Sequence, residues 1–201
     1  MNMFHNLRTI SITAAGFISL MMFFAGCTEQ QKPAPAAKQA GPVYEGTVAA
    51  VGDSLTAGYG VNEEDAYPAR LEALLRKDGV RWRVVNAGIS GETSSGALSR
   101  ITWVLKLKPD VVVLETGAND GLRGIDPKLT LRNIDEIVRI LRENQITVVL
   151  AGMHMTTNLG RDFTNSFAAV YGTVGKKYNL IMVPFFLQGV AGEPALNQAD
   201  G

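Results

Sequence analysis

Short apolar runs alternate with longer amphipathic segments from Thr47 almost to the end of the sequence. Apolar runs of four or five residues are typical of buried parallel strands, whereas apolar positions three or four residues apart are typical of helices. The runs predict five strands, at residues 47–51, 82–85, 111–114, 146–150 and 180–183.

The amphipathic segments predict four helices between these strands. The first helix follows Pro68, and the second spans residues 93–107. The third begins at Asp126-Pro127, and the fourth spans residues 161–178. The apolar face of the first consists of Leu71, Leu74 and Leu75. That of the third consists of Ile134, Ile137, Val138 and Leu141. Strict alternation of strand and helix predicts an α/β fold, in which a parallel sheet is covered by helices on both sides.

The first residues of the chain predict export. Residues 1–8 are basic, an apolar run spans residues 10–25, and small residues precede Cys27, as in a secretory signal. A membrane anchor is the alternative interpretation, but the run falls short of the ~20 apolar residues that a span needs. The ending Ala25-Gly26-Cys27 resembles the bacterial lipoprotein box, in which the cysteine becomes the lipidated first residue of the mature protein.

Phe24 departs from that box, which usually has leucine or another aliphatic residue there. Thr28, in place of aspartate, is compatible in that resemblance with sorting to an outer membrane. The expected organisation is a signal peptide at 1–26, a lipidated Cys27 with a flexible linker to residue 46, and a domain at 47–201. The expected location is the bacterial cell envelope, on an outer membrane facing the periplasm.

Composition narrows the classes of function. The chain has 19 basic residues (Lys and Arg) and 19 acidic residues (Asp and Glu). It therefore lacks the excess of positive charge that would indicate a nucleic-acid partner. One cysteine excludes an intramolecular disulfide and any site built from several cysteines. His5 and His154 lie far apart and belong to no metal-binding spacing, so a metal enzyme is not expected.

Polar and glycine residues follow the predicted strands, at the sheet edge where open α/β folds bind ligands. Ser54 follows the first strand in Gly52-Asp53-Ser54, Gly91 follows the second and Asn119 the third. A hydroxyl, an unobstructed backbone N–H and a carboxamide are the groups that acyl transfer needs around one carbonyl oxygen. The alternative interpretation makes Gly91 a turn glycine, and Asn119 and Ser54 capping residues.

These residues, in order and spacing, resemble the SGNH (GDSL) hydrolase family from about Val48 to the last residue. The segments 117–124 and 184–186 are similar to its bacterial branch of arylesterases and acyl-CoA thioesterase/lysophospholipases. The resemblance implies a three-layer α/β/α, flavodoxin-like sheet and no cofactor. It makes Ser54 the nucleophile, with its own N–H, the Gly91 N–H and the Asn119 side chain as the oxyanion hole.

In the family, the base and its carboxylate come from an Asp-x-x-His segment near the C-terminus. Asp200-Gly201 is similar to the start of that segment, so Asp200 is the expected carboxylate, and the histidine and the last helix are expected to be missing. The chain as given is therefore expected to be inactive, with an apolar sheet face uncovered. His154 is expected to line the site or to pack rather than act as the base. Asp53 and Asp120 are expected to accept hydrogen bonds that fix their loops.

The expected reaction is hydrolysis of a small acyl ester or thioester through an acyl-Ser54 intermediate. Apolar side chains after the fourth and fifth strands either line an acyl-chain site or belong to the core: Met153, Met155, Phe185, Phe186 and Leu187. A carbohydrate O-deacetylase of the same superfamily, a phosphate or nucleotide binder, and a non-catalytic lipid-anchored binding module are the alternatives.

Overall fold

A computed structural model describes residues 43–155 and 157–198. The strands are β1 (Gly46–Gly52), β2 (Trp82–Gly88), β3 (Val111–Glu115), β4 (Thr147–Ala151) and β5 (Ile181–Val183). The α-helices are α1 (Ser54–Ala57), α2 (Tyr67–Lys77), α3 (Ser94–Ser99), α4 (Ile101–Lys106), α5 (Ala118–Leu122), α6 (Pro127–Glu143) and α7 (Arg161–Tyr178). Short 3₁₀ helices lie at Glu63–Asp65, Thr157–Leu159 and Pro194–Leu196.

The five strands form one parallel sheet in the order β2-β1-β3-β4-β5. Val51 of β1 pairs with Leu114 of β3, which pairs with Leu150 of β4. All three side chains are fully buried in the main core. The predicted α/β class, with a five-stranded parallel sheet between helices, is confirmed.

Helices α6 and α7 cover the more deeply buried face of the sheet. Asp126 caps α6 by accepting a hydrogen bond from Lys128 N at 2.9 Å, and Pro127 occupies its first turn. The four apolar residues predicted to share a face of this helix, Ile134, Ile137, Val138 and Leu141, are all fully buried. Each such side chain contributes roughly 1.5–3 kcal/mol of burial free energy. The core therefore depends strongly on this helix.

The prediction of one helix over residues 93–107 is wrong in detail. The structure contains two helices, α3 and α4, because Arg100 leaves the helical conformation at φ −108° and ψ 6°. Its guanidinium donates to both carboxylate oxygens of Glu92 at 2.6 and 2.7 Å, and to the Ala87 carbonyl at 2.8 Å. The break places a charged side chain across the end of β2.

The opposite face of the sheet is more open. Leu74, predicted to share a buried face of α2, is 58% exposed, while Leu71 and Leu75 are half-buried. Ile181 on β5 is 61% exposed. Of these residues only Ile181 belongs to the sheet itself, and the expectation that the last helix is missing stays a prediction.

The predicted signal peptide, Cys27 and most of the linker lie outside the described residues. In the part of the chain that the structure describes, no helix has the length and apolar character needed to cross a membrane.

Candidate active site

Ser54 is the first residue of α1, directly after the carboxyl end of β1. Asp53 caps this short helix, since its Oδ1 accepts a hydrogen bond from Leu55 N at 3.0 Å. Gly58 ends it in the left-handed region at φ 80°, and its N–H donates to the Ser54 carbonyl at 3.1 Å. Ser54 is half-buried. The turn therefore holds the serine at the sheet edge with its side chain accessible.

The loop after β2 lies against this turn. Ile89 N donates to the Gly52 carbonyl at 2.9 Å, and a Cβ atom on Gly88 would lie 2.7 Å from Ala57 Cα. Gly91 adopts φ +78°, a conformation that favours glycine, and its carbonyl accepts from Arg123 Nη2 at 2.9 Å. Among the described residues, no acceptor takes the Gly91 N–H. That N–H is available to a bound ligand.

The loop after β3 is joined to the first turn by a side-chain hydrogen bond. Asn119, in α5, donates from Nδ2 to Asp53 Oδ2 at 3.3 Å. A carboxamide nitrogen carries two N–H groups, so one remains for another acceptor. Gly117 precedes α5 at φ +107°, and a Cβ atom there would lie 2.5 Å from the Tyr171 hydroxyl. Close packing therefore fixes the start of this helix.

Asp120 ties the second and third loops together. Its carboxylate is fully buried and accepts from Ser94 N at 2.8 Å, from Ser94 Oγ at 2.5 Å and from Thr130 Oγ1 at 3.1 Å. Asn133 on α6 donates to Ser94 Oγ at 2.9 Å. The expectation that Asp53 and Asp120 accept hydrogen bonds that fix their loops is confirmed.

The structure reveals a residue that the sequence did not single out. Glu115, the last residue of β3, is fully buried, and its Oε2 accepts from Thr56 Oγ1 at 2.9 Å and from Asp53 N at 3.3 Å. Burial, reinforced by the Asp53 charge, raises the pKa of Glu115 to about 8. Burial also raises the pKa of Asp53. An acidic residue at the end of an otherwise apolar strand was the only signal in the sequence.

The remaining predicted residues lie at the periphery or outside the described chain. His154 is exposed and packs edge-on against Phe185, with ring centroids 4.8 Å apart. Met153 is buried in the main core, whereas Met155 and residues 185–187 are half-buried and pack against it. Asp200 lies outside the described residues, so its position relative to Ser54 stays a prediction.

The first three strands bring their loops together because β1 lies between β2 and β3. The Ser54 hydroxyl, the Gly91 N–H and the Asn119 carboxamide thus belong to three hydrogen-bonded neighbouring loops. Within residues 43–155 and 157–198, no group of three or more metal-ligating side chains is placed to hold a metal ion. The arrangement offers a hydroxyl, which can attack a carbonyl carbon, and neutral N–H donors, which can stabilise the oxyanion that forms.

Comparisons with known proteins cover the same segment. The sequence profile of the GDSL-like Lipase/Acylhydrolase family matches residues 50–201. Esterase TesA of Pseudomonas aeruginosa is 40% identical over 156 residues, which are 77% of this chain and 78% of that protein. Thioesterase 1/protease 1/lysophospholipase L1 of Escherichia coli is 35% identical over 156 residues, 77% of this chain and 74% of that protein.

A solved structure gives the same result at the level of the fold. The crystal structure of AlinE4, an SGNH-hydrolase family esterase, superposes with a TM-score of 0.75 at 40% identity. The match covers 78% of this chain and 84% of AlinE4.

Proposed function

The chain belongs to the GDSL-like lipase/acylhydrolase family, and on that premise we propose that it hydrolyses acyl esters or thioesters through an acyl-Ser54 intermediate. As a member of this family it is a carboxylic ester hydrolase. The observation that carries the mechanism is the hydrogen bond from Asn119 Nδ2 to Asp53 Oδ2, beside the nucleophile turn.

In the proposed reaction, Ser54 Oγ attacks the carbonyl carbon while a base takes the hydroxyl proton. The carbonyl oxygen becomes an oxyanion, which accepts hydrogen bonds from Ser54 N, Gly91 N and Asn119 Nδ2. The alcohol or thiol leaves with a proton from the base, and water then attacks the acyl-serine and releases the acid. Donors of this kind typically contribute ~10²–10³ in rate each, because they meet charge that develops only in the transition state.

The base is proposed to be a histidine three positions after Asp200, beyond Gly201, with Asp200 as its carboxylate. The placement of His154 supports this choice, because His154 is exposed and packs on Phe185 rather than on the nucleophile turn.

The substrates are proposed to be arylesters, lysophospholipids or acyl thioesters. The relatives named as an esterase and as a thioesterase/lysophospholipase support this class. Half-buried apolar side chains near the loop ends support an acyl-chain site. Phe186 packs edge-on against Tyr67 of α2 with centroids 5.2 Å apart, so this segment reaches the nucleophile side of the sheet. A panel of aryl esters, acyl thioesters and lysophospholipids, compared by kcat/KM, would rank the three.

A fluorophosphonate probe tests the mechanism. The chain extended past Gly201 to include the histidine is expected to be labelled on Ser54, and Ser54→Ala is expected to abolish labelling. Ser166→Ala, at an exposed position on α7, is the matched control and should leave labelling unchanged. Absence of labelling in the extended chain would contradict the hydrolase mechanism and favour a binding module. Equal labelling of the 201-residue chain would contradict the proposed position of the base.

We also propose that the protein is exported and anchored through a lipid on Cys27, on an outer membrane facing the periplasm. The basic start, the short apolar run and Ala25-Gly26-Cys27 support this. Incorporation of radioactive palmitate into the protein, lost in Cys27→Ser, is the expected result. A soluble, unlabelled protein with an intact Cys27 would contradict it.

A further inference from the structure

Two buried carboxyl groups meet beneath the nucleophile turn. Asp53 follows β1 and Glu115 ends β3, and these strands are hydrogen-bonded neighbours. Asp53 is 1% exposed and Glu115 is fully buried. The Asp53 N–H donates to Glu115 Oε2 at 3.3 Å, which holds the Glu115 carboxyl group beside Asp53. Two carboxylates that lie close together away from water repel each other strongly, and a proton on one of them relieves this repulsion.

The hydrogen-bond partners indicate which residue carries that proton. Asp53 Oδ1 accepts from Leu55 N, and Asp53 Oδ2 accepts from Asn119 Nδ2, so both of its oxygens are stabilised as a carboxylate. In the part of the chain that the structure describes, Oε2 is the only oxygen of Glu115 that accepts hydrogen bonds. Within the described residues Oε1 is buried without a partner. A buried polar atom without a partner is costly. If Oε1 carries the proton and donates it to Asp53 in a hydrogen bond, this oxygen gains a partner and the cost is relieved.

The Glu115 carboxyl group contacts the chain on both sides of Ser54. Its Oε2 accepts from the N–H of Asp53, the residue before Ser54, and from the hydroxyl of Thr56, two residues after it. The space for this carboxyl exists because residue 52 is glycine. A Cβ atom on Gly52 would lie 2.5 Å from Glu115 Oε2. The orientation of the turn therefore depends on Glu115 directly.

We propose that Glu115 is a positioning residue, which in its protonated form shares one proton with Asp53 and fixes the turn that presents Ser54. The proposal rests on the proposed role of Ser54 as the nucleophile. Glu115 acts through Asp53 and Thr56 and does not contact the reacting atoms.

The surroundings make this proton sensitive to pH in the neutral range. Burial first, and then the Asp53 charge, raise the pKa of Glu115 to about 8. Tyr67 faces the pair from α2 and Tyr171 from α7, and burial raises the pKa of both phenols, so both stay neutral there. The more distant charges are those of Glu92, which acts on Asp53, and Asp120, which acts on Tyr171.

The sign of the effect on stability follows from proton linkage. In the unfolded chain Glu115 releases its proton near its ordinary pKa of 4.5, whereas the folded chain retains it up to about 8. Between these values the folded state binds more protons than the unfolded state. The free energy of unfolding contributed by this group is therefore full below about pH 4.5 and is lost as the pH rises to about 8.

Urea unfolding of the chain at pH 5 to 8 tests the shared proton. Glu115→Gln mimics the protonated carboxyl, since its amide donates to Asp53 and its oxygen accepts from Thr56. The unfolding equilibrium constant of the wild type, divided by that of Glu115→Gln, is expected to rise by at least about tenfold from pH 5 to pH 8. Glu72→Gln is the matched control, because Glu72 also accepts a backbone N–H, from Val84 at 2.8 Å, and it should follow the wild type. A constant ratio would overturn the proposal.

A direct titration covers the case in which Glu115→Gln does not fold. Carbon-13 NMR of wild-type protein labelled at the glutamate carboxyl carbons is expected to show one glutamate that titrates two or more pH units above the others. Titration of every described glutamate below pH 6 would overturn the proposal.

The positioning role is tested by the rate of Ser54 labelling in the chain extended past Gly201. Glu115→Leu, which cannot accept from Thr56, is expected to slow labelling at least tenfold, whereas Glu115→Gln restores the rate to within about threefold of the wild type. Equal rates in all three would overturn the positioning role. If even the wild type is not labelled, the proposed function fails, while the two titrations still decide whether Glu115 holds the proton.

Discussion

Asn119 donates one of its two carboxamide N–H groups to Asp53 Oδ2 at 3.3 Å, which joins the loop after β3 to the nucleophile turn. A carboxamide is planar, so fixing one N–H also fixes the direction of the other. Asp53 is itself fixed, because its Oδ1 accepts from Leu55 N and its own N–H donates to Glu115 Oε2. The Asn119 side chain is therefore oriented before any substrate binds.

Asn119→Ala removes the proposed side-chain donor of the oxyanion hole. We expect the rate of Ser54 acylation to fall by ~10²–10³, because the proposed donor meets charge that develops only in the transition state. Loss of the hydrogen bond to Asp53 Oδ2 is expected to lower the free energy of unfolding by about 1 kcal/mol. The measurement is fluorophosphonate labelling or ester turnover of the extended chain, with thermal unfolding as the check on folding. Asn144→Ala, which removes an exposed carboxamide at the end of α6, should leave the rate unchanged. Equal rates for both variants would contradict the assignment of Asn119.

Asp53→Asn tests the orientation of Asn119. Leu55 N donates to Oδ1 and Asn119 Nδ2 donates to Oδ2, so the new side chain, which has an NH2 group at one of these two positions, loses one of the two hydrogen bonds. We expect the free energy of unfolding to fall by about 1–3 kcal/mol and labelling of Ser54 to slow at least tenfold.

Asp126→Asn is the matched control for this change, since Asp126 caps α6 through the same local hydrogen bond, to Lys128 N at 2.9 Å, on the surface. We expect it to leave labelling intact. Equal loss of labelling in the two variants would show that Asp53 acts only as a helix cap.

Gly52→Ala tests the close packing beneath the nucleophile. Its Cβ atom would meet the Glu115 carboxyl group and the Thr56 hydroxyl, so we expect the free energy of unfolding to fall by about 1–3 kcal/mol in urea titrations. Gly172→Ala provides the control within α7, where no atom lies within 4 Å of the added methyl group. That variant should gain roughly 0.5–1 kcal/mol, because alanine favours the helix. A neutral Gly52→Ala would contradict the packing.

Glu92→Ala tests the ion pair at the break between α3 and α4. The Glu92 side chain is 7% exposed and that of Arg100 is 14% exposed, so removing the carboxylate leaves a nearly buried cation with fewer partners. We expect a loss of about 3–5 kcal/mol in urea unfolding. Glu143→Ala breaks an exposed pair with Arg139 and should produce no measurable change. Similar losses in both variants would contradict the importance of burial.

The regular part of the fold could be predicted from the sequence. Each predicted strand overlaps an observed one, and the predicted bounds of α7 are those observed, because its apolar spacing and flanking turns are local signals. The family and fold class were also predictable, since the strand-end residues around Ser54, Gly91 and Asn119 form a specific pattern.

Features that depend on tertiary partners could not be predicted. Residues 93–107 have continuous helical spacing, and the break at Arg100 arises from its bonds to Glu92 and Ala87, which nothing local requires. Leu74 has the spacing of a buried position, but no described element covers it.

Glu115 illustrates the same limit in the candidate site. A carboxylate at the end of a strand usually reaches solvent, and only the contacts with Asp53, Thr56 and the missing side chain of Gly52 explain its burial. Each of these residues can be read from the sequence, but the contacts among them arise only when β1 and β3 pair in the folded chain.

Because β1 lies between β2 and β3, the loops that follow these three strands are neighbours at one edge of the sheet. Ser54, Gly91 and Asn119 follow three adjacent strands, whereas β4 and β5 lie to one side of them. In the described part of the chain, the loops after β4 and β5 contribute none of the hydrogen bonds that join the other three loops to one another. The nucleophile turn and the two loops with the proposed oxyanion donors are thus held together independently of the loop after β4, so that loop can vary in length and sequence while Ser54, Gly91 and Asn119 keep their relative positions.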